Sequence, residues 1–410
     1  MSGPSIRAAV SRLTRGRGCR GAAFGALLLV LGALGCASLS GERGAAEAPR
    51  PPAPAWAMEG GDPGRASRAL PLGRLPGVEG WRSHAVIPLR EGPGYHPEEY
   101  ATPLLIGNVA YVGHSGRAFE ALRLDGTRLW IFPTGGRVYG TAAYAGGLLV
   151  FGDDQGTVRA LDLAGREVWT FAAGYPVVSG ALAAGDRVYV PVSDQNVFCL
   201  EAATGRPLWQ YGRRFPRRDS LWRSLGLAYG DGLVYAGFSD GSVVALEADL
   251  GRVVWRAEVG APSLFGDVAA GPSFRDGRVY AGAFRGPVAC LDARTGVEVW
   301  RQGVEAAGGV AVGDERLYVG TAGGGLAALA LDDGAVLWET LLDGGVSTAP
   351  VLAGDTVVVG ASEGSLLGID AASGAVRTRF APGTGLHGQP LVFEHGVVFL
   401  SDGGNLHVVR

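Results

Sequence analysis

The chain of 410 residues contains no lysine, so all 36 of its basic residues are arginines. Without lysine it can have neither a Walker-type phosphate loop nor an amine for a Schiff base. Cysteine is scarce, with four residues and no Cys-x-x-Cys pair, and the six histidines lack metal-ligand spacing. We therefore predict no catalytic, cofactor-binding or metal-binding residue.

A sustained helical period is also lacking beyond the first 35 residues. Glycine is abundant instead, with 69 residues, which is typical of a chain with many tight turns. The net charge is −3, and the first 35 residues hold five arginines and no acid, so the remainder is net acidic. Sequence-independent nucleic-acid binding needs a basic surface, so we predict no nucleic-acid partner.

Residues 1–35 predict a lipoprotein signal peptide. Arginines precede an apolar run, Ala22 to Leu31, that is shorter than the roughly 20 residues needed to span a bilayer. The run ends in Leu-Gly-Ala-Leu-Gly-Cys, which resembles the lipobox of bacterial lipoproteins and makes Cys36 the lipid attachment site. In such lipoproteins the residue after the lipidated cysteine directs sorting between the two membranes. Ala37 at this position implies the periplasmic face of the outer membrane. A plain secreted protein is the alternative.

Residues 36–55 are rich in proline and alanine and predict a semi-extended tether. Beyond the tether, eight short apolar strands recur with a period of about 40 residues. They are Val109–Gly113, Leu148–Gly152, Val188–Pro191, Val234–Gly237, Val279–Gly282, Leu317–Gly320, Val357–Gly360 and Val397–Leu400. A strand-rich repeat of this length predicts that residues 56–410 form an all-β propeller of eight four-stranded antiparallel blades.

A second signature, Gly-x-x-x-Trp, follows the first six of these strands. The pairs are Gly126/Trp130, Gly165/Trp169, Gly205/Trp209, Gly251/Trp255, Gly296/Trp300 and Gly334/Trp338. The glycine suits the hairpin turn before the outermost strand, and the aromatic ring can pack against the next blade. In blade seven, Gly374 is followed by Thr378 instead.

The two ends of the repeat complement each other. The chain reaches Arg410 after the third strand of blade eight, whereas Gly77 to Trp81 repeats the Gly-x-x-x-Trp spacing with no strands before it. We therefore predict that residues 79–88 supply the missing outer strand beside residues 397–410 and close the ring. The predicted innermost strands are small and apolar, so we expect small side chains to fill the hub.

Several conspicuous residues are interpreted as scaffold. Residues 383–388 match G-x-G-x-x-G, but a predicted strand follows where the dinucleotide fingerprint needs a helix. His387 within this segment is expected to be solvated or packed in the core. Cys199 and Cys290 occupy equivalent positions two blades apart, beyond the ~7 Å reach of a disulfide, and are predicted to be buried free thiols.

Two segments are longer than their counterparts in other blades. Residues 211–223, in blade four, hold five arginines interleaved with aromatic residues, and residues 261–272 lie in blade five. Insertions in repeat proteins tend to cluster on one binding face, and arginine and aromatic residues are enriched at interface centres. These segments predict a protein-interaction face, with solvated loops as the alternative.

The stretch Cys-Leu-Asp-Ala-Arg-Thr-Gly-Val-Glu-Val-Trp (290–300) resembles the repeat of pyrroloquinoline-quinone-type propellers. The resemblance covers residues 56–410, and two classes within that superfamily compete. Quinoprotein dehydrogenases hold a quinone and calcium on the axis and typically carry a vicinal cysteine pair, which this chain lacks. The BamB-type outer-membrane barrel-assembly lipoproteins are non-enzymatic eight-bladed scaffolds with a lipid anchor and an N-terminal closing strand.

The second resemblance implies a monomeric, cofactor-free scaffold that docks the periplasmic domains of an outer-membrane barrel-assembly protein. In that family, blade five contributes an Asp-Val-Asp and blade four a leucine-rich stretch ending in arginine. Asp267 matches the first aspartate, and Ala269 replaces the second. Leu221, Trp222 and Arg223 are the match in blade four. The alternatives are an envelope propeller that binds another protein or a carbohydrate, and a quinoprotein dehydrogenase.

Overall fold

The computed structural model describes residue 58 and residues 60–67, 81–89, 98–212, 226–260 and 267–410. Within these residues the chain forms 32 strands in eight four-stranded antiparallel sheets and no helix. The predicted all-β, eight-bladed propeller is therefore confirmed. A helix long and apolar enough to cross a membrane is likewise absent from this part of the chain.

Strand β1 (Ser83–Pro88) comes first in the chain but belongs to the last blade. The next four blades each run from the innermost to the outermost strand. Blade 1 contains β2 (Leu104–Ile106), β3 (Val109–His114), β4 (Ala118–Arg123) and β5 (Arg128–Pro133), and blade 2 contains β6 (Ala143–Ala145), β7 (Leu148–Gly152), β8 (Thr157–Asp162) and β9 (Glu167–Ala172). Blade 3 contains β10 (Leu182–Ala184), β11 (Arg187–Val192), β12 (Asn196–Glu201) and β13 (Pro207–Gly212), and blade 4 contains β14 (Leu227–Gly230), β15 (Leu233–Gly237), β16 (Ser242–Glu247) and β17 (Val253–Glu258).

The remaining blades follow the same order. Blade 5 contains β18 (Val268–Arg275), β19 (Arg278–Ala283), β20 (Val288–Asp292) and β21 (Glu298–Gln302), and blade 6 contains β22 (Ala306–Val312), β23 (Arg316–Thr321), β24 (Gly325–Ala330) and β25 (Val336–Leu341). Blade 7 contains β26 (Val351–Ala353), β27 (Thr356–Gly360), β28 (Leu366–Asp370) and β29 (Val376–Phe380), and blade 8 contains β30 (Leu391–Phe393), β31 (Gly396–Ser401), β32 (Asn405–Val409) and β1.

Burial within a blade depends on the position of the strand. The second and third strands are covered on both faces by neighbouring blades, so they are almost continuously apolar and buried, as in β27. The outermost strands alternate between exposed and partly buried side chains, as in β25. This difference explains why the second strands were the clearest repeat in the sequence.

The tryptophans of the Gly-x-x-x-Trp signature join each blade to the next. In six outer strands the indole Nε1 donates a hydrogen bond to a carbonyl of the next blade at 2.9–3.3 Å. A Cβ on the facing turn glycine would lie 2.4–2.7 Å from the aromatic ring, so only glycine fits there. We call this contact the indole latch. The donor and acceptor residues are Trp130 and Leu163, Trp169 and Ala202, Trp209 and Ala248, Trp255 and Ala293, Trp300 and Leu331, and Trp338 and Ala371.

The ring is closed by the N-terminal strand, as predicted. Strand β1 pairs with β32, and the backbones of Arg82 and Arg410 exchange two further hydrogen bonds of 2.9 and 3.1 Å. Trp81, however, does not take the place of the repeat tryptophan. It lies before the strand and points back to blade 7, where its amide nitrogen is 3.4 Å from Thr378 Oγ1. Trp81 thus covers the position where blade 7 has a threonine instead of tryptophan.

A segment that the sequence did not predict crosses the axis. Residues 60–67, which we call the axial plug, accept hydrogen bonds from the innermost strands of blades 4 to 7 and contact blade 8. The backbone bonds are Tyr229 N to Pro63 O (2.6 Å), Phe274 N to Gly64 O (2.7 Å), Val312 N to Ala66 O (2.8 Å) and Leu352 N to Ser67 O (2.9 Å). On the blade 8 side, Gly60 N donates to Gln389 Oε1 at 3.0 Å. The plug therefore ties five blades together across the hub.

Candidate interaction face

The hub contains an open cavity of about 970 Å³, which the axial plug helps to line. The expectation that small side chains fill the hub is wrong, because small side chains line this cavity instead of closing it. Its floor includes Arg65 and Ser67 of the plug, and its wall comes from innermost strands such as Ala307–Val310. The loops that lead into the innermost strands also line it, and they contribute Glu98, Tyr100, Arg137, Tyr139, Asp267 and His387.

Many polar side chains of the cavity wall are already engaged by the wall itself. Thr141 Oγ1 accepts a hydrogen bond from Thr102 N, and Thr348 Oγ1 accepts one from Gly360 N, both at 2.9 Å. The amide of Gln389 is bound to Gly60, Ser67 and Pro350. A pocket for chemistry needs several polar groups that converge on a ligand. Thr141 instead joins blades 1 and 2, Thr348 binds within blade 7, and Gln389 joins blades 7 and 8 to the axial plug.

The residues present do not fit a calcium-bound quinone on the axis. In the described part of the chain, no group of three or more His, Cys, Asp or Glu side chains could hold a metal ion. Cys199 and Cys290 lie in separate blades, and both are buried free thiols, as predicted. Burial raises the pKa of the Cys199 thiol to about 12 and that of Cys290 to about 11, so neither is a reactive thiolate at neutral pH.

His387 is held at the point where blade 8 meets blade 1. Its Nδ1 lies 2.9 Å from a carboxylate oxygen of Asp402, and its ring meets Tyr100 edge-on with centroids 5.0 Å apart. Asp402 also accepts a hydrogen bond from the amide of Glu99, whose carboxylate is bound to Ser115 of blade 1. The histidine therefore belongs to the closure of the ring, which agrees with the scaffold interpretation.

Blades 1 and 2 carry charges of opposite sign at equivalent positions, one buried and one partly buried. In blade 1, the fully buried Glu120 lies between His114 Nε2 at 3.1 Å and Arg128 Nε at 2.6 Å. In blade 2, Arg159 replaces the glutamate and contacts the carboxylates of Asp153 and Glu167. Each buried charge has a partner of opposite sign within its own blade, as the cost of burial requires. We interpret both groups as structural.

Asp267 is the one predicted partner-binding residue that the structure describes. It immediately precedes β18, is 2% exposed and lines the axial cavity. Its carbonyl accepts a hydrogen bond of 2.7 Å from Phe284 N, and Phe284 carries the guanidinium of Arg285 5.7 Å above its ring. Sequence reasoning missed this arginine and phenylalanine, which lie in the turn between β19 and β20, beside Asp267.

The strand after Asp267 is irregular where the family resemblance places the interaction motif. The pairing of β18 with β19 shifts register between Val268 and Ala270 and again before Ser273. Such bulges change the direction of side chains and are common near functional sites. Gly226 comes within van der Waals contact of Gly271 in this bulge, so larger residues would separate blades 4 and 5. Leu221, Trp222 and Arg223, together with Cys36, lie outside the described residues.

A comparison with family models decides between the two classes. The family model described as "Outer membrane protein assembly factor BamB" matches residues 114–298 and 285–409. The chain belongs to this family. A curated family member from Shewanella oneidensis, also named outer membrane protein assembly factor BamB, is 38% identical over 74 residues, which are 18% of this chain and 19% of that protein. The match thus spans about one fifth of the curated relative.

Solved structures show the shared fold. BamB from Moraxella catarrhalis superposes with a TM-score of 0.71 at 22% identity, over 80% of this chain and 99% of that chain. Quinohemoprotein alcohol dehydrogenase from Comamonas testosteroni gives the same TM-score at 13% identity, over 86% of this chain and 80% of that chain. At such low identity these likenesses establish the eight-bladed fold and not the activity.

Proposed function

We propose that this protein is a non-enzymatic scaffold, anchored by lipid at Cys36 to the periplasmic face of the outer membrane. It docks the periplasmic domains of an outer-membrane barrel-assembly protein. The observation that carries the proposal is the family match, which extends from residue 114 in blade 1 to residue 409 in blade 8 and includes all of blades 2 to 7. The hub supports it, since Thr141, Thr348 and Gln389 of its wall are bound to other parts of the scaffold.

The mechanism is rigid presentation of one face. The closed ring, the indole latches and the axial plug hold the loops before the innermost strands in fixed positions, which keeps the entropic cost of binding low. Asp267 lines the cavity among these loops, so a partner group reaches it from the cavity mouth. The sequence match adds Leu221, Trp222 and Arg223 to the proposed partner-binding residues.

The D267A variant is expected to recover about tenfold less of the barrel-assembly protein in a crosslinking pull-down from membranes. A tenfold loss corresponds to about 1.4 kcal/mol, the size typical of an interface residue that contributes to affinity. R223E should weaken recovery at least as much, because it reverses a charge on the proposed face. Mass spectrometry of the captured proteins measures the effect and names the partner.

The matched control is D186A, which removes an exposed carboxylate from the turn between β10 and β11 in blade 3. This variant should capture as much partner as the parent protein, and thermal unfolding of all three variants checks that each is folded at the temperature of the pull-down. Full recovery by both D267A and R223E would reject this face. Capture of proteins unrelated to barrel assembly by the parent would reject the function itself.

The anchor can be tested separately. The C36S variant is expected to lose incorporation of labelled palmitate and to leave the membrane fraction, because serine cannot form the thioether to the lipid. The C19S variant, which alters a signal-peptide cysteine before the lipobox, should still be labelled. Equal labelling of C36S and the parent protein would show that Cys36 is not the attachment site.

A further inference from the structure

Blade 8 is joined to its neighbours differently from the other blades. Among the described residues, neither of its two seams has an indole latch. At the seam with blade 7, Thr378 replaces the tryptophan and is covered by Trp81. At the seam with blade 1, Ile87 of β1 lies 3.7 Å from the position of a Cβ on Gly126. Both seams thus depend on residues of the N-terminal strand or next to it.

Strand β1 itself buries little. Of its six residues only Ile87 is buried, and Val86 is 50% exposed. Its pairing with β32 is interrupted by an irregularity between Ser83 and Ala85. The strand is therefore held mainly by backbone hydrogen bonds, and segments with few buried apolar contacts open at low free-energy cost.

A buried histidine lies next to this weak strand. His407 in β32 pairs with Val86 of β1, is 3% exposed, and stacks on Phe399 with ring centroids 4.9 Å apart. Phe380 of blade 7 meets the ring edge-on at 6.1 Å. The imidazole Nε2 is 3.0 Å from Ser401 Oγ, whereas the buried Nδ1 has no hydrogen-bond partner among the described residues.

The surroundings of His407 offer no counter-charge. The groups that face the imidazole are Phe399 and Ser401 from β31, Phe380 from β29 and Val86 from β1, and none of them is ionisable. Asp402, which follows Ser401, holds His387, and Arg379, which precedes Phe380, pairs with Asp343. The titratable side chain of β1, His84, is exposed. A protonated ring has two N–H donors, and here the second would have no acceptor.

We propose that β1 is a releasable clasp, which detaches from β32 when His407 takes up a proton while the other blades stay folded. Loss of β1 also withdraws Trp81 from the seam between blades 7 and 8. That seam contains both Phe380 and the imidazole, so its opening brings water to Nδ1. The protonated state is stabilised only in the open form.

The sign and size of the effect follow from linkage. Burial lowers the pKa of His407 to about 4 in the closed state, whereas a solvated histidine titrates near 6.5. The closed state therefore binds fewer protons than the open state. The free energy that this difference contributes to the closed state is fully present above pH 6.5 and is lost as the pH falls toward 4. At pH 5, the ratio of open to closed molecules should be about 30-fold higher than at pH 8.

Hydrogen exchange measured by mass spectrometry on the purified full chain tests this proposal. After correction for intrinsic exchange rates, protection of the amides in residues 82–87 and 89, and of those β32 amides that donate to β1, should fall about 30-fold from pH 8 to pH 5, whereas the β32 amides that donate to β31 should stay protected. Protection in blade 3, at residues 187–201, should stay constant. Equal loss in both regions would indicate general unfolding, and no loss at the clasp would show that it does not open; either result overturns the proposal.

Three variants separate the histidine from other titrating groups. H407F keeps an aromatic ring without a titrating nitrogen, so its clasp should be equally protected at pH 8 and pH 5. H395F alters an exposed histidine of blade 8 and should retain the full pH effect. A disulfide between A85C and V408C, which are paired across β1 and β32, should abolish the effect until it is reduced. Persistence of the pH effect in both H407F and the oxidised disulfide variant would overturn the proposal.

Discussion

The W169A variant is expected to unfold with a free energy about 3–5 kcal/mol lower than that of the parent protein. The Trp169 indole is 8% exposed, fills the seam between blades 2 and 3, and donates to Ala202 O at 2.9 Å. Alanine would leave a cavity there and remove the donor of a buried carbonyl. Denaturation in guanidinium chloride, followed by circular dichroism, measures the loss.

The neighbouring residue on the same strand provides the matched control. Val168 is 51% exposed, so V168A should change the free energy of unfolding by less than about 0.5 kcal/mol. Similar losses in W169A and V168A would mean that strand β9, and not the latch, determines the stability of this seam.

The facing glycine tests whether the latch acts as a unit. A Cβ on Gly205 would lie 2.4 Å from the Trp169 ring, and the residue has a φ of +71°. G205A should therefore combine a steric clash with a backbone cost of about 1 kcal/mol. In the W169A background only the backbone cost remains, so the two substitutions should be clearly non-additive.

The repeating part of this fold could be predicted from the sequence because its causes are local. Turn glycines, buried second strands and outer-strand tryptophans recur with one period, and each reflects contacts within a blade or with the next blade. The predicted strand at Val109–Gly113, for example, lies within β3. The closing strand was also predictable, since residues 79–88 were the one place left for a missing outer strand.

The non-repeating parts could not be predicted in the same way. Trp81 shares the spacing of the repeat signature but lies before β1 and contacts Thr378, a partner 297 residues away. The axial plug depends on similar long-range contacts, such as the bond between Gly60 and Gln389. No periodic signal marks such contacts, because each occurs once in the molecule.

The candidate interaction face also combines features that could be predicted from the sequence with features that could not. The family resemblance identified Asp267 from an aspartate followed by small residues and proline. Its burial and the double register shift of β18 could not be predicted, because they depend on how blades 4, 5 and 6 meet at the axis. One weak signal in the sequence could have indicated Phe284 and Arg285, whose guanidinium lies over the phenyl ring. Their turn, Phe-Arg-Gly-Pro, lacks the aspartate that several equivalent turns contain.

The Q389L variant is expected to release the axial plug and to lower the free energy of unfolding by about 2–4 kcal/mol. Gln389 is 4% exposed, and its amide joins Gly60 N, Ser67 Oγ and Pro350 O. Leucine has a similar volume but makes none of these bonds, so buried polar groups of the plug and of blade 7 lose their partners. Trypsin cleavage after Arg65, followed by mass spectrometry, measures release directly.

The reason to expect both effects together is that the plug is the only element among the described residues that contacts blades 4 to 8 across the axis. Its release should therefore weaken several blades at once, whereas the loss of one latch weakens one seam. Q155L, which alters an exposed glutamine in a turn of blade 2, should change neither stability nor cleavage. A stable Q389L protein that resists trypsin at Arg65 would show that the four backbone bonds hold the plug without the glutamine.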